Sequence, residues 1–315
     1  MTSPSAVLLT RLTKQYGERA ALSDIELTVP LRSRTVVLGH NGAGKSTLLE
    51  IIATLRTPTS GTVHIAGLDA RTHLREVRRL IGLTPQANAL DPLSTPLEAL
   101  RFHGAVLGLG RRETTRRADE LLQLLGLAEN GTTRISTLSG GTRRKVDLAL
   151  TLLAEPRIVI LDEPTTGLDP VSRLDFWAEL TRLSDAGHTL IISTQDLDEA
   201  DVLATGIVVL REGRIVAHDS PAALKHRVGE RTLTLEFAAP AEAQRLLSSL
   251  STPFIADPTD ERRVRLALTT GADAAAGMPA LNTALTELAG FAGSPTALSM
   301  SEPSLDDVFL ALAAR

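Results

Sequence analysis

The 315-residue sequence predicts an α/β fold, with a mixed sheet and helices, a β-rich N-terminal part, an inserted helical subdomain, and a small C-terminal α/β domain. Three observations carry this expectation. Short β-rich runs alternate with helical spacing from Val7 to Ala217, a leucine-rich helical tract interrupts them between Asp91 and Leu150, and a second, shorter alternation starts after residue 226. A hydrophobic content of 43% supplies one large core and a smaller one, placed at residues 1–222 and 226–315.

The elements follow in order. VLLTRL, IELTV, TVVLG and GTVHIAG are separated by turns and read as strands, and helical spacing begins only after Gly44. LEALRFHGAVLGL and RRADELLQLLGL mark the helical subdomain, about residues 91–150, with Leu121, Leu122, Leu124 and Leu125 expected on one face. The arginines of RRETTRRA read as a solvated helix face. IVIL, the helix RLDFWAELTRL, the strand TLIIS and the hairpin IVVLREGRIVA restore the α/β alternation and predict a parallel sheet wrapped by helices. In the C-terminal domain RTLTLEF, a helix through Leu250, RVRLALTT, a helix from about Pro279 to Ala289, ALSM and the closing LDDVFLALA complete the series.

Bulk properties narrow the function. The densest apolar run, LALTLLA from Leu148, is far too short to cross a bilayer. MTSPSAVLL lacks the features of a secretory signal and the chain has no cysteine, so a cytoplasmic location is expected. A net charge of −4 offers no global positive field for a nucleic acid, which is not expected as a partner.

TVVLGHNGAGKSTLLEII places a G-x-x-x-x-G-K-[ST] loop between an apolar strand and an apolar-periodic helix. Residues Gly39, His40, Asn41, Gly42, Ala43, Gly44, Lys45, Ser46 and Thr47 would cradle a polyphosphate with backbone N–H groups and the helix N-terminus. Lys45 supplies charge to the β- and γ-phosphates, and Ser46 a hydroxyl for Mg²⁺. In IVILDEP an apolar strand ends in two acids, a costly arrangement unless a cation takes up the charge. Asp162 is the expected metal holder and Glu163 the residue that polarises the attacking water. LSGGTRRKVDLAL is a second Gly-rich turn into a helix, and Arg143, Arg144 and Lys145 in its first turns oppose the helix dipole. An anion at the helix start would relieve that, the alternative being an ordinary Ser139 N-cap.

GHNGAGKST, LSGGT, IVILDEP, TTGLDP and STQ, in this order, resemble the ATP-binding subunit of ABC transporters over about residues 7–220. GGTRRKVDLAL, the Gln of STQDLDEAD and the closing SEPSLDDVFLAL resemble its daunorubicin/doxorubicin-resistance branch. The resemblance implies an ABC-type P-loop ATPase core and a head-to-tail pair of copies sandwiching two ATP molecules with Mg²⁺. It implies a separate integral-membrane permease on which the chain sits at the cytoplasmic face, exporting an amphipathic drug or antibiotic. The helical subdomain after Gln86 would meet that permease.

Carried over by position, Ser139, Gly140 and Gly141 would contact the γ-phosphate bound to the partner copy, and Asp169 would link the two sites. Gln86 would touch Mg²⁺, and Tyr16, the only tyrosine, would stack on adenine. His40 departs from the family's usual Pro, and Thr142 from its Gln or Met. Gln195 stands where most of the superfamily has a histidine. Its carboxamide can contact the γ-phosphate and steer water but cannot take a proton, so its expected role is positioning, the alternative being a cap on the next helix. Two other readings stay open, an ABC-type ATPase acting on nucleic acid or ribosomes and a nucleotide-controlled binding module with little hydrolysis. A single cassette, the absence of a heptad tract and the acidic balance weigh against the first.

Overall fold

A computed structural model describes residues 5–86, 90–228, 231–249, 254–257, 260–268, 278–291 and 293–313. The chain divides into two compact units, residues 1–221 and 222–315.

The first unit opens with long strands β1 (Ser5–Tyr16) and β2 (Arg19–Pro30), then β3 (Arg34–Leu38), α1 (Lys45–Ile52), β4 (Ser60–Ile65) and the short β5 (Leu68–Asp69). After α2 (Leu74–Leu80) and β6 (Ile81–Thr84) come three helices of the subdomain, α3 (Pro96–Val106), α4 (Arg111–Leu124) and α5 (Gly140–Leu152). Then follow β7 (Ile158–Asp162), α6 (Pro170–Asp185), β8 (Thr189–Thr194), α7 (Leu197–Leu203), β9 (Gly206–Arg211) and β10 (Arg214–Asp219).

Two sheets result. An antiparallel sheet runs β2-β1-β4-β5, and a six-stranded sheet runs β10-β9-β3-β8-β7-β6. The second is parallel except for the β9–β10 hairpin, so it is a mixed sheet. Its inner strands are buried along their length, the pattern of a parallel sheet covered on both faces. Helix α1 packs on β2 and on β7 and β8, and its Leu48, Leu49, Ile51 and Ile52 join the core of both sheets. The loop before α1 is thereby held at the C-terminal edge of β3, where open α/β sheets bind ligands.

The subdomain helices keep their predicted order. A capping box of Thr95 and Glu98 with Pro96 at the first position starts α3. The predicted leucine face of α4 needs correction. Thr114, Ala118 and Leu122 form the buried stripe at four-residue spacing, while Leu124 is half exposed, because the helix rotates to seat Thr114 against Gly104 of α3. The arginine-rich start of α4 is only partly solvated, since Arg117 donates to the Leu153 carbonyl and pairs with Glu155.

The second unit contains α8 (Pro221–Val228, beginning one residue before the division), β11 (Arg231–Glu236), α9 (Pro240–Ser249), β12 (Ile255–Ala256), β13 (Arg263–Leu268), α10 (Met278–Ala289), β14 (Ala297–Ser301) and α11 (Leu305–Ala313). Its antiparallel sheet runs β12-β13-β11-β14, with alternate residues Leu233, Leu235, Val264 and Leu266 packed on Ala243, Leu246 and Ala284. Leu250, Thr269 and Thr270, which the sequence places at element ends, lie outside the described residues. No helix among the described residues is long and apolar enough to cross a membrane.

Candidate functional site

A cleft of about 780 Å³ opens above the C-terminal edge of β3. It is lined by Tyr16, His40, Asn41, Gly42, Gly44, Lys45, Ser46, Thr47, Gln86 and Glu163. Gly39 and Ala43 lie within the same loop, and Ala43 is buried. Arg19, Ala20, Ala21, Glu212 and Gly213 also line the cleft. These were missed because they come from the start of β2 and the β9–β10 turn, distant in sequence and without a motif.

Backbone demands explain the loop. Gly44 stands at φ 108°, and a Cβ there would lie 2.7 Å from the Ala21 carbonyl, so only glycine fits. As the N-cap of α1 it offers no side-chain cap, which leaves the first-turn N–H groups of the helix facing the cleft.

Lys45 is buried and its ammonium donates to the Gly39 and His40 carbonyls at 2.8 and 3.3 Å. It stands 3.3 Å from a carboxylate oxygen of Glu163, itself only 8% exposed. The Gln86 amide donates to the other Glu163 oxygen at 2.8 Å. The two acids ending β7 are therefore satisfied by the protein itself, Glu163 by Lys45 and Gln86, and Asp162 by the Ser193 hydroxyl. Glu163 has φ 47°, a conformation costly for a residue with a side chain. Its N–H donates to the carbonyl and hydroxyl of Ser193, and its carbonyl accepts from Arg144.

Arg144, one of the three cations read as opposing the dipole of α5, is engaged by carbonyl oxygens instead. It is buried, and it donates to the carbonyls of Pro85, Asp162, Glu163 and Pro164 at 2.7–3.3 Å, fixing the turn that carries Glu163 and the residue before Gln86. A signal was present. Arg144 lies four residues before Leu148 and three after Gly141, on the inward stripe of the helix. Lys145 pairs with Asp175 and Glu179 on α6. Asp147 is buried and faces Arg144 at 3.8 Å, and burial pushes its carboxyl up to about 6.

Tyr16 is partly exposed, with Lys14 and Arg56 over its ring at 5.1 and 5.7 Å. The His40 ring Nδ1 is hydrogen-bonded with the Asn41 carbonyl at 2.7 Å. Ser139, Gly140, Gly141 and Asp169 are not among the residues lining this cleft. Ser139, Gly140 and Asp169 form a separate exposed shelf, with Gly141 buried beneath it, where a Cβ would strike Ser172, whose hydroxyl donates to Asp169. Asp169 caps α6, and hydrogen bonds from the Ser172 hydroxyl and N–H hold its carboxyl below the usual range. Ser139 caps α5 by accepting from the Thr142 N–H.

Strand β8 stops at Thr194, and Gln195 follows it exposed, outside the residues that line the cleft. The Thr194 carbonyl accepts from the Gly39 N–H at 3.3 Å, tying the end of β8 to the phosphate-loop turn. The cap of α7 is Asp196, which accepts from the Glu199 N–H, so Gln195 does not serve as that cap.

Among the described residues no group of three or more His, Cys, Asp or Glu gathers that would hold a metal alone. The Ser46 hydroxyl and the Gln86 amide line the cleft, and the Asp162 carboxylate, which is not among the lining residues, ends β7 one residue before Glu163, which is. That set suits a hard cation that keeps several waters and shares phosphate oxygens, as Mg²⁺ does.

A phosphate loop feeding a helix, an acid-ended strand beside it, and an inserted helical subdomain define the nucleotide-binding cassette class of P-loop ATPases. The model of the ABC transporter family matches residues 22–166. The chain is 38% identical over 98% of its length to the daunorubicin resistance ATP-binding protein DrrA2 of Streptomyces coeruleorubidus, covering 94% of that protein. It is 37% identical to the daunorubicin/doxorubicin resistance ATP-binding protein DrrA of Streptomyces peucetius, covering 99% of this chain and 93% of the relative. Among solved structures, cbiO1 from Clostridium perfringens, part of the ABC transporter complex cbiONQ, matches with a TM-score of 0.65 and 28% identity over 70% of this chain and 91% of that one. A dimeric ATP-binding cassette in a post-hydrolysis state bound to ADP and Pi matches with a TM-score of 0.61 and 29% identity over 68% and 98%. The chain belongs to the ABC transporter family, as one of its ATP-binding ATPase subunits.

Proposed function

We propose that this chain energises efflux of an amphipathic drug or antibiotic through a separate membrane permease, sitting peripherally at the cytoplasmic face of the membrane. Near-full-length similarity to relatives named for daunorubicin resistance supports the substrate class. The observation that carries the ATPase mechanism is the Lys45–Glu163–Gln86 arrangement on the cleft wall. In this reading residues 1–222 bind ATP and residues 226–315 form an accessory domain.

Tyr16 stacks on adenine, and the loop 39–47 cradles the phosphates. Lys45 pairs with Glu163, and a triphosphate with its larger charge draws the ammonium away. Glu163 is then released to accept a proton from the attacking water. Mg²⁺ supplies charge neutralisation at the β- and γ-phosphates when bound, and Ser46, Gln86 and Asp162 would hold it. Gln195 aims the water with its amide, contributing about 10²-fold. A second copy brings Ser139, Gly140 and Gly141 to the γ-phosphate and Asp169 to the junction of the two sites. The exposure of Ser139, Gly140 and Asp169 on one shelf supports that assignment.

The test is Glu163→Gln. It is expected to bind Mg·ATP, hydrolyse it about 10²-fold or more slowly, and accumulate a nucleotide-bound dimer in sizing experiments. Normal phosphate release by this variant would remove Glu163 from the role.

A further inference from the structure

Gln195 makes no hydrogen bond among the described residues, so its position is set by its neighbours in the chain. Those neighbours are tied to α6. Asp169, Arg173 and Trp177 follow one another at four-residue spacing and share a face of that helix. The Arg173 guanidinium pairs with Asp196 at 2.5 Å and lies 5.4 Å from the centre of the Trp177 ring. One turn on, the Trp177 indole N–H donates to Glu199 at 3.0 Å, and the Thr165 hydroxyl donates to the same oxygen at 2.8 Å.

Glu199 is 1% exposed. Burial raises its carboxyl above the usual range, and hydrogen bonds with Thr194, Thr165 and Trp177 oppose that rise. An apolar side chain would fill such a place at lower cost if packing were its only task. Its partners instead come from the loop after β7, from α6, and from the residue immediately before Gln195.

We propose that Arg173 and Glu199 are positioning residues that clamp the chain on either side of Gln195 to α6, so that engagement of Asp169 by a second copy is transmitted to the amide that aims water. This rests on the reading of Gln195 and Asp169 given above. The clamp has two rungs, Arg173–Asp196 and Trp177–Glu199, one helical turn apart. Loss of either frees Gln195 to miss its geometry.

The experiment uses the full chain with saturating Mg·ATP, steady-state phosphate release, and emission from Trp177, the single tryptophan of the sequence. Arg173→Ala is expected to lower kcat about tenfold, the scale of lost outer support for an active group, with KM for ATP within about twofold. Arg173→Lys, which keeps the ion pair, is expected to retain more than about half of the turnover. Combined with Gln195→Ala, Arg173→Ala should cost nothing further, since both remove one function. Glu199→Met should match Arg173→Ala, and Glu199→Gln, which keeps an acceptor for Trp177, should stay near wild type. In a Glu163→Gln background, Mg·ATP should change Trp177 emission, and Arg173→Ala should abolish that change. Additive losses in the double variant, or unchanged kcat in folded Arg173→Ala, would overturn the clamp while leaving Gln195 its role. Wild-type turnover by Gln195→Ala alone would instead overturn the underlying reading, and the clamp with it.

Discussion

Helix α1 begins after a glycine-containing turn and helix α5 begins on two glycines, yet their first turns are used differently. At α1 the N-cap is Gly44, which contributes no side chain, and the N–H groups face the cleft. At α5 Ser139 caps its own helix and the turn lies on the exposed shelf with Asp169. One chain therefore holds one ready anion site and a second whose donors are partly satisfied until something replaces the cap. The buried cations differ likewise. Lys45 donates to two carbonyls of its own loop and faces a carboxylate at 3.3 Å, and its ammonium can be drawn to phosphate, whereas Arg144 is committed to four carbonyls from outside its own helix and serves as a fixed strut.

The comparison breaks first at Lys45. Lys45→Ala is expected to lower turnover about 10²–10³-fold, as expected for a lost donor to developing phosphate charge. It also leaves Glu163 buried without its cation, so the melting temperature in the absence of nucleotide should fall. Adding Glu163→Gln should restore most of the melting temperature and none of the turnover. If Lys45→Ala turned over ATP normally, the ready site at α1 would have been misplaced.

Ser139→Ala sharpens the contrast. Loss of the cap should cost about 1 kcal/mol of stability. If the hydroxyl also meets the phosphate of a second copy, turnover at saturating ATP should fall about tenfold while Mg·ATP affinity of the dilute chain stays constant. A drop in melting temperature with unchanged turnover would reduce Ser139 to a cap.

What could be read beforehand follows from which features are local. The phosphate loop and IVILDEP were legible because their chemistry demands fixed residue types at fixed spacing, and the buried strands because long apolar runs announce a covered sheet. The rotation of a helix about its axis is not local. RRADELLQLLGL permits several apolar stripes, and only the approach of Gly104 to Thr114 selects the one that leaves Leu124 outside. In the same way nothing adjacent to Arg143, Arg144 and Lys145 says which turns inward. The distinction between Gln195 and Asp196 as cap is a matter of one residue in strand length, where sequence patterns are least informative. Asp196 shows how a better capping residue displaces that alternative for Gln195.

The smallest expected effect on turnover concerns the strut itself. Because Arg144 is occupied by carbonyls, Asp147 faces it at 3.8 Å without a hydrogen bond to its Oδ2 and is left with a net penalty for ionising. Burial raises its pKa from 3.8 to about 6, against the opposing pull of Arg144. With the folded value above the unfolded one, the native state binds the additional proton between these limits. Stability therefore decreases as pH rises from about 3.8 to about 6 and the contribution levels off above that range. Asp147→Asn removes the titration. It is expected to stabilise the chain by about 1–2 kcal/mol at pH 7.5 relative to its effect at pH 4, with turnover little changed because Arg144 keeps its carbonyl partners. Melting curves of both proteins across this range decide it. Parallel pH profiles would mean that Asp147 ionises in the fold without cost, and that Arg144 answers to it as a true ion-pair partner.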